Sequence, residues 1–195
     1  MTATIAPLAP SARPSVPRVL GALGILGSPV FLAQWLAAPS SLKVPDTTAA
    51  ALLGLVYLMG WACSAVALRR LRVTGRGRGG AIILAVQLVG LSLAAGQQIQ
   101  DALHAHPLGD VVYHVCDAAW PLSHVLMLVV GVAVLRARVW TGWRRWTPLA
   151  CGLALPAAFL ALAVGGPPAM LPAFAVLTAA AFCSLGAAVV THATS

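Results

Sequence analysis

Residues 104–124 read HAHPLGDVVYHVCDAAWPLSH, and they hold most of the ionisable chemistry of a chain that has little of it. Four of the five histidines (His104, His106, His114, His124) and two of the four acidic residues (Asp110, Asp117) fall here, with Asp101 just upstream. Imidazole and carboxylate are the groups that ligate Zn²⁺ and move protons near neutral pH, and histidine also ligates haem iron. At about 100° per residue in a helix, Gln97, Asp101 and His104 share one face. On the next helix His114, Asp117, Pro121 and His124 fall within an arc of about 80°. Gly109 and Asp110 make a helix start between the two, with Asp110 as its N-cap. Two antiparallel helices joined by this turn would point polar faces at each other. The residues expected to frame a pocket there are Gln97, Gln98, Asp101, His104, His114, Asp117 and His124, with Asp117 and His124 at its core.

Depth sets the cost of that arrangement. At about 1.5 Å per residue, His124 lies roughly 20 Å along its helix from Asp110, and Asp117 about half as deep. Polar groups at depth in a bilayer are expensive unless paired, and mark candidate functional sites. Asp117 and His124 are two helical turns apart, too far for a direct bond. A partner from elsewhere is expected: Gln97, Gln98, Gln87, Gln34, Tyr57 or Ser123. His104, His106 and His114 also fit solvated loop positions near the headgroups.

Three functional readings use these residues. The first is a membrane protein with an outward-facing pocket for a small molecule or lipid, which needs only a cavity and a few convergent polar groups. The second is a membrane-embedded metal-dependent enzyme of the hydrolase type, with His114, Asp117 and His124 as Zn²⁺ ligands. The third is a haem or quinone redox protein, with His104 or His114 available near the outer face. Against all three stands a structural role, an interhelical hydrogen bond worth about 0.6–2 kcal/mol.

The helices that carry these groups are built from an apolar chain. Hydrophobic residues make up 60% of the 195 and charged ones only 8%, with no glutamate. A soluble domain carries about 25% charged residues, and a surface this apolar would expose patches that soluble monomers do not tolerate. The expected fold is all-α, a polytopic membrane bundle. Six apolar segments are long enough to span, at about 20 residues each: Val19–Ala38, Thr48–Leu68, Gly80–Leu103, Val111–Leu135, Thr147–Gly165 and Pro168–Thr191. Residues 1–17, with Pro7, Pro10, Pro14 and Pro17, read as a disordered cytoplasmic tail ahead of a six-helix transmembrane domain over 18–191. The first segment is too long for the apolar core of a signal peptide and is read as a span.

The net charge of +8 is placed as membrane proteins place it. Arginines 13 and 18 precede the first segment, 69, 70, 72, 76 and 78 follow the second, and 136, 138, 144 and 145 follow the fourth. With both termini cytoplasmic, eleven of the twelve basic residues lie inside and only Lys43 outside, as the positive-inside rule asks. That clustering argues against nucleic acid as a partner. The Ala-rich, Lys-poor composition resembles that of small membrane proteins of high-GC bacteria, and the expected location is a bacterial plasma membrane.

The remaining features carry less chemistry. Cys63, Cys116, Cys151 and Cys183 lie in apolar runs without zinc spacing and read as buried small side chains. Trp140, Trp143 and Trp146, beside Arg144 and Arg145, read as an interfacial anchor. Gly21, Gly24 and Gly27 form a stripe that lets the first helix pack closely, and Pro29, Pro121 and Pro156 are places for kinks. There is no P-loop, dinucleotide fingerprint or serine-hydrolase elbow.

Overall fold

A computed structural model describes residues 15–37, 47–105 and 109–192. They form α1 (Val16–Gly27), α2 (Val30–Ala37), α3 (Thr48–Arg70), α4 (Arg78–Leu103), α5 (Asp110–Ala137), a short 3-10 turn (Gly142–Trp146), α6 (Thr147–Gly165) and α7 (Pro167–His192). The fold is all-helical, with six stretches long and apolar enough to cross a membrane: Val16–Ala37, Thr48–Arg70, Arg78–Leu103, Asp110–Ala137, Gly142–Gly165 and Pro167–His192. These are the segments that the hydropathy of the chain predicts, lengthened by a few residues at their ends. Val16 and Pro17, assigned above to the tail, open α1, where proline suits a first turn whose N–H has no partner anyway. Residues 1–14 and His106 lie outside the described residues.

Pro29 divides the first span into α1 and α2, because it lacks an N–H and its ring crowds the preceding turn. The Ser28 hydroxyl donates to the Gly24 carbonyl at 2.6 Å at that break. Pro121 and Pro156 lie inside continuous helices instead. Asp110 is the first residue of α5 and not its cap; Gly109 caps it, with φ of 85° that glycine tolerates. A carboxylate in the first turn still opposes the helix dipole favourably.

Small residues set how closely the helices approach, as expected where lipid supplies no hydrophobic drive. Gly21 faces the Gly186 carbonyl and Val189 of α7, Gly24 faces Ser64 of α3, and Gly27 lies against Gly60. A Cβ on Gly27 would come within 2.9 Å of the Val56 carbonyl oxygen, a backbone atom that cannot turn aside. Leu26, Met59, Val89, Leu122 and Leu160 point outward on the other faces. In water such a surface would aggregate; in lipid tails it is solvated.

The two ends of the bundle differ. At one, Gly75 lies beside Ala137, Arg144 donates to Thr191 at 3.1 Å, and Trp140 stacks edge-on against His192. This end carries the ten described arginines. Trp140 is not the interfacial anchor its spacing suggests: it is 1% exposed, and only Trp143 and Trp146 reach outward. At the opposite end, Gln34 donates to the Ala50 carbonyl at 3.2 Å and Thr48 to the Ala102 carbonyl at 3.3 Å. The three described aspartates, 101, 110 and 117, belong to that end.

Candidate functional site

A cavity of about 330 Å³ opens at the aspartate-bearing end. α4 supplies Gln97, Gln98 and Asp101 to its wall, and α5 supplies Tyr113, Asp117 and Trp120. The facing wall comes from the first span, through Phe31 and Gln34, and from the start of α3, through Thr47, Ala50, Ala51 and Gly54. So α4 and α5, the two helices the sequence points to, make only half of it.

Helix geometry builds the polar wall. Gln97 and Asp101 are one turn apart on α4, and the Gln97 amide donates to the Asp101 carboxylate. Gln98 Nε2 donates to the side-chain Oε1 of Gln97 at 2.7 Å, and the Tyr113 hydroxyl donates to Asp101 at 3.0 Å. This chain of bonds ties α4 to α5. Gly54 leaves the space that the Gln98 amide fills, since a Cβ there would collide with it. Asp117 is exposed along the cavity wall and has no hydrogen bond among the described residues.

The other candidates lie apart from the cavity. His104 ends α4 in the left-handed region, with φ of 49°, and its Nε2 lies 2.9 Å from the Thr48 hydroxyl. It stitches α4 to α3 instead of lining the mouth. His114 is exposed, its ring beside that of Tyr113. His124 is 0% exposed and sits in a box of four aromatic rings. Its ring centroid lies 4.7 Å from Trp61, 5.1 Å from Trp120, 5.7 Å from Phe174 and 5.9 Å from Phe182. Among the described residues neither imidazole nitrogen has a partner in good hydrogen-bond geometry, nor do the Gln87 amide, the Tyr57 hydroxyl or the Trp61 Nε1, all buried. The interhelical partner expected for His124 among Gln87, Gln97, Gln98, Gln34, Tyr57 and Ser123 does not engage it. Ser123 bonds its own helix, at the Ala119 carbonyl.

Asp117 and His124 therefore belong to two environments, and Trp120 takes part in both, lining the cavity with Asp117 and packing its ring edge-on with that of His124. No three His, Cys, Asp or Glu side chains converge on a metal-sized position among the described residues, so His114, Asp117 and His124 do not form the ligand set their spacing allowed. Trp120 and Phe31 also line a second, apolar cavity of about 260 Å³, with Leu155, Leu162, Pro167, Met170, Leu171 and Phe174. Trp120 was within reach of the sequence: three residues after Asp117 and four before His124, it shares their helical face. Phe31 and Gly54 carried no such signal, because long-range packing alone brings them to the site. The chain matches no protein-family model, no curated protein and no solved structure.

Proposed function

We propose that this is a multi-pass protein of a bacterial plasma membrane, with both termini cytoplasmic, that binds a small molecule or a lipid in an outward-facing pocket. One observation carries the reading. Gln97, Gln98, Asp101 and Asp117, four of the seven residues singled out for their chemistry, border a single cavity at the arginine-free end of the described bundle. A concave site with a few convergent polar groups on otherwise apolar walls is what ligand binding requires. The orientation follows from the arginines, which the positive-inside rule puts in the cytoplasm. His104, His114 and His124 lie outside the pocket, so the reading no longer draws on metal or haem ligation.

The test is a melting-temperature screen of protein purified in a neutral detergent, against membrane lipids and small polar solutes. A ligand that binds the native state raises the melting temperature by mass action. A compound that stabilises the native protein but not the Asp101→Asn/Asp117→Asn variant supports the pocket. Equal stabilisation of both, or of neither across the panel, overturns it. Fluorescence of a green fluorescent protein fused after residue 195 tests the orientation separately, since that reporter matures in the cytoplasm.

A further inference from the structure

We propose that the pocket's ligand is an organic cation, an ammonium group carried on an apolar body; this rests on the pocket reading above and adds the class of ligand. Hydrogen-bond capacity decides the sign. The Gln97 amide is spent within the wall, its nitrogen on Asp101 and its oxygen on Gln98. Acceptors remain open among the lining residues. Asp117 has no hydrogen bond among the described residues, and the buried Oε1 of Gln34 has no partner. No Lys, Arg or His lines the cavity among the described residues. An anion would meet two carboxylates with no counter-charge. A neutral ligand would gain nothing from the charge of Asp117, which is exposed on the wall with no basic side chain beside it. A cation answers both.

The aromatic side chains support the same sign and add the shape. Phe31, Tyr113 and Trp120 line the cavity, and the faces of such rings attract alkylated ammonium groups. Phe31 and Trp120, with ring centroids 6.3 Å apart, also wall the apolar chamber beyond. Two rings thus separate an acceptor-rich chamber from one lined by Leu155, Leu162, Met170 and Leu171. A ligand with its ammonium beside Asp101 and Asp117 and its apolar part against Phe31 and Trp120 matches both.

The experiment is equilibrium dialysis of the full chain, in neutral maltoside detergent, against three probes with one aromatic ring and different charge: benzyltrimethylammonium, benzyl alcohol and benzenesulfonate. Only the cation binds saturably. Asp117→Asn weakens it by about tenfold or more, as losing a charge-assisted partner does, and Trp120→Leu by about fivefold. Asp110→Asn, at the same end but outside the cavity, leaves it unchanged. Displacement by dodecylphosphocholine far below the concentration needed for choline assigns the ammonium to a lipid headgroup. The reverse order assigns it to a soluble amine, and either keeps the proposal. Equal binding of benzyl alcohol or benzenesulfonate overturns the cation and leaves the pocket standing. If no probe binds a protein that melts normally, the cation falls, and the melting-temperature screen then decides whether the pocket falls with it.

Discussion

Asp117 and His124 stand two turns apart on one helix, yet they have opposite surroundings. Asp117 borders an open cavity beside a hydrogen-bonded wall of Gln98, Gln97, Asp101 and Tyr113. His124 is sealed among Trp61, Trp120, Phe174 and Phe182, with neither nitrogen in good hydrogen-bond geometry among the described residues. A buried polar group with no partner costs about 1–3 kcal/mol; ring-edge contacts worth about 0.5–1.5 kcal/mol each offset part of it. The polar face of a helix is therefore not one site. A single large ring, Trp120, splits it into an accessible polar surface and a closed packing unit.

Substitutions at the two residues test that division. His124→Ala is expected to have the largest effect, lowering stability by about 2–4 kcal/mol through the cavity it leaves among four rings. Ligand binding by the folded fraction should stay unchanged, as read by thermal unfolding and dialysis side by side. A loss of binding without a loss of stability would instead join His124 to the pocket. His124→Phe sharpens the point: it keeps the ring and removes the buried nitrogens, so unfolding should change by less than about 1 kcal/mol. Asp117→Asn should do the reverse, costing about 1.4 kcal/mol of binding free energy for each tenfold loss of affinity while leaving the melting temperature within a degree or two.

How much of this was legible in the sequence depends on the range of the interaction. Spans follow from local composition, so all six segments appear with small shifts at their ends. The bond between Gln97 and Asp101 follows from a one-turn spacing. The Gly21, Gly24 and Gly27 stripe faces inward as its period implies. What the spacing of α5 could not tell was how deeply each position is enclosed. Asp117 and His124 share an arc, but enclosure is decided by Phe31, Trp61, Phe174 and Phe182, which come from distant segments. Trp140 shows the same limit: its spacing matches Trp143 and Trp146, yet the left-handed turn at Arg138, with φ of 54°, precedes a segment in which Trp140 is buried against α7.

The smallest expected effect belongs to His104, which the spacing of α4 put with Asp101 and the structure joins to Thr48. If its work is to tie the end of α4 to the start of α3, then His104→Ala removes one hydrogen bond between helices. Such a bond is worth about 0.6 kcal/mol on average in a membrane protein. The Thr48 hydroxyl keeps the Ala102 carbonyl as a second acceptor, which limits the loss further. Unfolding should therefore shift by less than about 1 kcal/mol, and Thr48→Val should add a further loss of about the same size in the His104→Ala background, because it also removes the bond to the Ala102 carbonyl. Binding of benzyltrimethylammonium should follow the native protein in both variants. A loss of affinity in His104→Ala alone would return this histidine to the mouth of the pocket. It would also mean that the accessible half of the polar face extends past Asp101 to the end of α4.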